Sequence, residues 1–565
     1  MALDVFDPTG TTGKLLAYAA RLDSIENRKI GILNNESWQA HRILPYLLGE
    51  LGKRFPSTTF EMFSSGDRHI QQDEMIDRIA AAGCHGVITG NGAGGEGAVE
   101  CGRAAAKLEQ RGIPAVVLCS HAFIGVARNN VAGLGFAADI ASVTFPVEQF
   151  MLESDMKPVA AALDRFVEGL TRWQPNPELM AEGKPAMISI PGNDHSEIAR
   201  NLNALFLRRQ WGDGLAITPP TADLVDWILE GTDLPRQTEF GRFLPRGGVV
   251  TLEMLAVSLA MAGGRPEYLP VLIGAIKAVL NPEILHEKWQ TTSCSTFPAF
   301  IVNGPMARQI RLNCGFGLLG PDPAHPAGGS IGRAIRLLQQ NLGGSLPGVG
   351  TMGVFGEMRY TNAVFAEDDS HLPPGWESFS TEYMGFPKGA NVVSVAVVSG
   401  STNILRRGRG SESLEDEAVN GLRRVATYMR SHNANSLESY FTGTPGLLIL
   451  TPTVVKQMAE LGWDKAKIRQ CLWDNTKIPR EELERSGVIT WIVEYGGLKE
   501  TLKQAEWPIT SRPENFAIIV GGGNHTTHAH WMQTAFVPKI VGEQIVLPRN
   551  WEKLIAEAEK DLGQA

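Results

Sequence analysis

The chain has no CxxC pair: its six cysteines stand singly at Cys84, Cys101, Cys119, Cys294, Cys314 and Cys471. Sparse, scattered cysteines in a long chain exclude a disulfide-stapled secreted scaffold. They fit reduced thiols in a reducing compartment, so a cytoplasmic location is expected. A basic surplus is also missing, because 52 Lys and Arg face 61 Asp and Glu for a formal net charge of −9. The one basic cluster, Arg406, Arg407 and Arg409, runs at once into the acidic Glu412, Glu415, Asp416 and Glu417. That is the pattern of a solvated loop rather than of a nucleic-acid-binding face. No run nears the roughly 18 uninterrupted apolar residues of a membrane helix. The N-terminus carries no basic-then-apolar order of a secretory signal. Neither nucleic acid nor membrane is expected as a partner.

What is present is ordinary globular composition, 43% hydrophobic and 20% charged, over 565 residues. A chain of that length exceeds a single core and implies several domains. Short apolar runs at 29–34, 59–63, 86–89 and 115–119 alternate with helical spacing at 38–53, 73–82 and 98–110. Such alternation predicts an α/β domain with a parallel sheet and covering helices. Three prolines between 173 and 186 mark a linker. Beyond it, 252–262 and 268–280 read as helices, 299–302 and 391–398 as strands, and 415–545 as a further α/β pattern. The expected organisation is therefore multidomain α/β, with domains at 1–172, 187–410 and 411–565.

The densest motif lies directly after the apolar run at 86–89. There Gly92, Gly94 and Gly97 satisfy GxGxxG between a strand and a helix, and Gly90, Asn91 and Gly95 complete the segment. Glycines let a backbone turn sharply, and a helix start presents free N–H groups to an anion. The acidic residue of a dinucleotide site is missing after 115–119, where Ser120 and His121 stand instead. NAD is therefore disfavoured, and the alternatives are an anion cradle or glycines that serve only close helix–sheet packing.

The N-terminal 150 residues resemble the UGSC-motif (seleno)protein family. The resemblance rests on FDPTG at 6–10, KIGILNN at 29–35, the glycine loop at 90–97, and RGIPAVV at 111–117 with Phe123 beyond it. The family loop resembles G-x-G-D-(U or C)-G-S-C, which implies a reactive selenol or thiol at the position of Gly94 and a cysteine at that of Gly97. Both are glycine in this chain, so the resemblance leaves the anion-binding backbone without its thiols. The stretches 212–229, 261–276 and 297–308 resemble an uncharacterised segment that accompanies UGSC-type domains.

Other constellations each have two readings. His525, His528 and His530 follow the apolar run 516–520 in GGGNHTTHAHW. If a helix begins at Asn524, His525 and His528 share a face and suit a divalent metal, with Asn524 as N-cap beside a second glycine pocket. Cys294, in the hydroxyl-rich run 291–296, is a candidate nucleophile or a plain buried cysteine. Cys314 reads the same way. Arg265, with Glu267 and Tyr268, either clamps a carboxylate or forms an ion pair at a helix corner. Arg333 falls in the first turn of a helix after GPDPAHPAGGS, where a cation needs an anion or an acidic side chain to meet it. His325 in the same segment is a candidate general acid or base.

Glycine-rich anion pockets without a partner-type charge pattern point to a small-molecule enzyme with a carboxylate- or phosphate-type substrate. The expected reaction is of lyase or hydrolase type, with backbone amides at 92–97 stabilising negative charge. A histidine or cysteine from the second half would then move protons or attack. Two rivals stand beside it: a thiol oxidoreductase using Cys101, Cys294 or Cys314, and a catalytically silent assembly subunit. Size and glycine-rich surface loops suggest a homo-oligomer.

Overall fold

The computed structural model describes residues 1–10, 15–64, 72–177, 186–356, 362–405, 413–430, 443–487, 504–535, 539–563. The cluster Arg406–Arg409 and most of the proline-marked linker lie outside the described residues.

The first strand, β1 (Ala2–Phe6), precedes five parallel strands: β2 (Lys29–Asn34), β3 (Thr59–Ser64), β4 (Gly86–Gly92), β5 (Ala115–Ser120) and β6 (Ser142–Phe145). The five form one sheet in the order β3-β2-β4-β5-β6. Every residue of β4 and β5 is buried, as a parallel strand covered by helices on both faces requires. The chain runs outward from β2 to β3 and then crosses back to β4. The winding therefore reverses between β2 and β4, and in such sheets ligands bind at the carboxyl ends of those two strands. The predicted parallel sheet with covering helices is present.

β7 (Met187–Pro191) returns to pair antiparallel with β1. Val5 and Phe6 of β1 accordingly pack in a core built by later residues, so the chain's first strand sits outside the sheet that follows it. A hairpin of β8 (Glu239–Phe243) and β9 (Gly248–Thr251) leads into the helix Leu252–Met261. That helix and Leu269–Leu280 are apolar on nearly every face, and both are buried in the largest core together with Pro326–Asn341. Among the described residues no single helix is long and apolar enough to cross a membrane.

A second sheet combines β10 (Phe297–Asn303), β11 (Ala363–Ala366), β12 (Val392–Leu405), β13 (Gly446–Leu450), β16 (Ala517–Val520), β17 (His528–Thr534) and β18 (Val541–Gln544). A short antiparallel pair, β14 (Ile478–Pro479) and β15 (Glu506–Trp507), lies outside it. Its main path, β11-β10-β12-β17-β13-β16, reads alike from either end. A parallel pair stands at each edge, and two antiparallel strands fill the centre. Alternate residues of β10 divide between two cores: Phe297, Ala299 and Ile301 point into one, Phe300 and Val302 into the other. The first of these cores takes residues from all six strands, so the sheet curls around it. The two edges meet where Asp368 N–H donates to Val520 O at 2.8 Å. The expected boundary at 410/411 falls inside this sheet, since β12 pairs with both β17 and β18. Local apolar spacing could not reveal that, because the pairing joins residues more than a hundred positions apart.

Candidate functional site

The glycine segment lies at the carboxyl end of β4, in the crevice beside β2. Asn35 ties it down from the end of β2: its Oδ1 accepts from Asn91 N–H at 2.6 Å, and its Nδ2 donates to Glu100 Oε2 at 3.1 Å. Asn91 is fully buried and donates from Nδ2 to Trp38 O at 2.8 Å, so it braces the loop. The helix Gly95–Gln110 starts three residues earlier than the apolar spacing predicts, and no side chain caps it. The glycines differ in what they do. A Cβ on Gly90 would stand 2.7 Å from Leu44 and one on Gly92 2.6 Å from Cys119 Sγ, so these two serve packing. At Gly97 a Cβ would lie 2.6 Å from Asn91 O and 2.7 Å from Ser37 Oγ. Gly95 packs against Thr291 O, at 2.4 Å from its would-be Cβ, whereas Gly94 faces open space. Packing thus accounts for most of the glycines, and the helix start behind Gly94 carries no side-chain cap.

The second half contains a built cavity. It is an open cleft of about 520 Å³, lined by His325, Asp322, Asn313, Ser330, Arg333 and Asn362 among apolar residues such as Leu215 and Val364. Asp322 and His325 are three residues apart in a turn, which brings His325 Nδ1 to 3.0 and 3.1 Å from the two carboxylate oxygens. Desolvation works against the charge on Asp322, yet hydrogen bonds from the His325 ring and from the Ala324 N–H hold its carboxyl below the usual range. The helix Pro326–Asn341 begins directly after His325 with proline at its first position and no side-chain cap. Gly328 lets this helix start approach β11: a Cβ there would stand 2.5 Å from Val364 O.

Arg333 lines the same cavity, but an acidic side chain already meets it. Its Nε donates to Asp213 Oδ2 at 2.6 Å, and its Nη2 to Asp213 Oδ1 and Ala216 O, both at 2.9 Å. Desolvation opposes ionisation of Asp213, and the guanidinium overcomes it, holding the carboxyl below its ordinary value. Arg265 follows its ion-pair reading, with Glu267 at 2.6 Å and Asp561 at 3.0 Å, and its guanidinium lies over the Trp227 ring.

No helix begins at Asn524. Residues 521–527 form a loop and His528 opens β17, which corrects the helical spacing on which two metal ligands were expected. The rings of His525 and His528 still stand edge to face at 4.8 Å. His528 Nδ1 contacts Asn403 Oδ1 at 3.2 Å, and His530 Nε2 contacts Ser401 Oγ at 2.6 Å. Among the described residues no three His, Cys, Asp or Glu side chains gather as metal ligands.

The cysteines fare differently. Cys101 is fully buried, and burial, with Cys119 and Glu100 adding to it, pushes its thiol well above the ordinary value. Burial raises Cys314 as well, with Asp368 adding to it. Neither is set up as a thiolate nucleophile. Cys294 is half-buried, three residues beyond the Thr291 carbonyl that abuts Gly95.

Sequence reasoning missed Asp322, Asp213, Asn313 and Asn362. Asp322 was within reach, since an acid three residues before a candidate histidine is a local signal. Asp213 and Asn362 come from distant segments and carry no such mark.

Residues 4–172 match the UGSC family model. No curated protein and no solved structure matches the chain.

Proposed function

We propose that the protein is a small-molecule enzyme of lyase or hydrolase type acting on an anionic substrate, with proton transfer at His325. The observation that carries this reading is the Asp322–His325 pair, 3.0 Å apart at its closest, set in the cavity beside an uncapped helix start. When the neutral ring donates its Nδ1 proton to Asp322, Nε2 is left with a lone pair and serves as a general base. Asp322 then stabilises the imidazolium that forms. The proton comes either from a carbon next to the substrate carboxylate or from a water, and the same imidazolium returns it to the leaving group. The first amides of Pro326–Asn341 face the negative charge that develops. Arg333 is neutralised by Asp213 and shapes the wall. The amides behind Gly94 form a second anion cradle, in the region that matches the UGSC family model.

The test is turnover of a panel of small carboxylates and phosphate esters, followed by proton release. His325→Gln and Asp322→Ala should each lower the rate by about 10²-fold or more, while Gly94→Ala leaves it within a few-fold. Turnover indifferent to both cavity substitutions, or a panel with neither turnover nor binding, overturns the reading.

A further inference from the structure

Ser330 carries the one hydroxyl or thiol among the residues that line the cleft. Within the helix Pro326–Asn341, the lining residues Pro326, Gly329, Ser330 and Arg333 recur at i, i+3, i+4 and i+7, so they form one stripe. Ile331, Ala334, Ile335 and Leu338 point away from that stripe into the largest core. Ser330 therefore stands on the cleft face of the helix, half-buried. A serine inside a helix commonly bonds back to the carbonyl four residues earlier. Ser330 does not: among the described residues its Oγ takes part in no hydrogen bond.

The Asp322–His325 pair is placed to serve this hydroxyl. His325 stands directly before the helix, and Cα–Cβ bonds in a helix tilt toward its N-terminus, so Ser330 leans toward the histidine. The two residues are about 7.5 Å apart along the axis, a span that an imidazole and a hydroxymethyl close between them. Gly329 brings the turn in. A Cβ there would stand 2.9 Å from Pro321, so the turn that carries Asp322 and His325 lies against the helix beside Ser330. Asp322 holds His325 Nδ1, whereas among the described residues Nε2 is in no hydrogen bond. A hydroxyl, a free base nitrogen and an orienting carboxylate thus share one cleft, which are the parts that activate a serine. Resting on the proton-transfer reading of His325, we infer that Ser330 is the nucleophile of an acyl transfer and that the bond it opens is a carboxylic ester. Oγ attacks the acyl carbon while its proton passes to Nε2. The imidazolium gives that proton to the departing alkoxide, and the acyl group stays on Oγ. A water deprotonated by the same nitrogen then attacks the acyl carbon. The proton returns to Oγ as the free acid leaves.

The experiment mixes the full chain with 4-nitrophenyl acetate, quenches it in acid within the first turnover, and maps the acetyl group by peptide mass spectrometry. The wild type should release about one nitrophenolate per chain as a burst and carry the acetyl group on Ser330. Ser330→Ala should lose both, and His325→Gln should slow acetylation by about 10²-fold or more. Alanine is a better helix former than serine, so the variant keeps the helix. The wild-type map stands even if a variant fails to fold. No acetyl group on Ser330, or a burst that survives in Ser330→Ala, overturns the inference. The proton-release panel on the same variants separates it from the reading beneath it. Turnover that needs His325 but not Ser330 overturns the inference alone. A wild type that neither turns over nor binds the panel and gains no acetyl group overturns both.

Discussion

The backbone N–H of Val520 donates to the Glu367 carboxylate at 3.0 Å, joining the end of β16 to the residue just beyond β11. Glu367 is buried and also accepts from Asn303 Nδ2 at 2.7 Å and from Phe379 N–H at 2.6 Å. The Lys465 ammonium stands 4.0 Å away. One carboxylate thus satisfies donors from three segments at the place where the curled sheet closes, next to the 313–322 turn that carries part of the cavity.

Glu367→Ala should therefore cost about 3–5 kcal/mol, since it strands buried donors and the half-paired Lys465 together. Glu367→Gln should cost less, because one amide oxygen still accepts while the NH₂ faces a donor. Denaturant midpoints of the two variants check the order. Equal, small losses would show that the closure carries little of the stability.

The glycine loop gives a second, asymmetric expectation. Gly94→Cys places its side chain in open space and should leave stability within about 0.5 kcal/mol. Its thiol should react readily with a water-soluble disulfide reagent. Gly97→Cys must push against Asn91 O and Ser37 Oγ and should lose about 1–3 kcal/mol. The surroundings of position 97 therefore leave no room for a side chain. Equal stability of the two variants would contradict that.

Arg333 offers a third. Asp213→Asn removes the charge that neutralises it while leaving a side chain able to hold its N–H groups. The variant should bind inorganic phosphate in the cavity several-fold more tightly than the wild type, read by calorimetry, at a stability cost of about 1–3 kcal/mol. Unchanged phosphate affinity would mean that the guanidinium does not reach a ligand there.

Much of this was legible in the sequence. The alternation of apolar runs and helical spacing predicted the N-terminal sheet, because parallel βα units are built from neighbours in the chain. The segment around His325 stood out because proline, glycine and serine announce a helix start locally. The second sheet was not legible. β12 pairs with strands on either side of it in sequence, and β17 reads HAHWMQT, with none of the apolar continuity of β13. The cavity's polar wall was hidden for the same reason: Asn313, Asn362 and Arg333, with the Asp213 that pairs Arg333, meet only through the tertiary fold.

Adjacent residues at the junction with the glycine-loop helix give the fourth prediction. Burial raises the Glu287 carboxyl from 4.5 to about 7, with the Arg103 guanidinium pulling the other way. Between those values the folded chain keeps a proton that the unfolded chain has released. The resulting stability is fully present below pH 4.5 and is lost as the pH rises to 7. Burial lowers His286 from 6.5 to about 4, with Arg103 adding to it, while the ring's Nε2 accepts from Leu244 N–H at 3.0 Å. There the unfolded chain takes up a proton that the folded one refuses, so stability is lost as the pH falls from 6.5 to 4. The two neighbours oppose each other over most of that range, and the wild type hides both. Glu287→Gln should gain on the wild type by about 1–3 kcal/mol between pH 4.5 and 7. His286→Asn should gain as the pH falls from 6.5 to 4. Denaturant unfolding of each variant against the wild type across pH 4–7.5 reads both slopes. Difference curves that are flat, or that share one sign, would show that this buried pair does not titrate as its surroundings require.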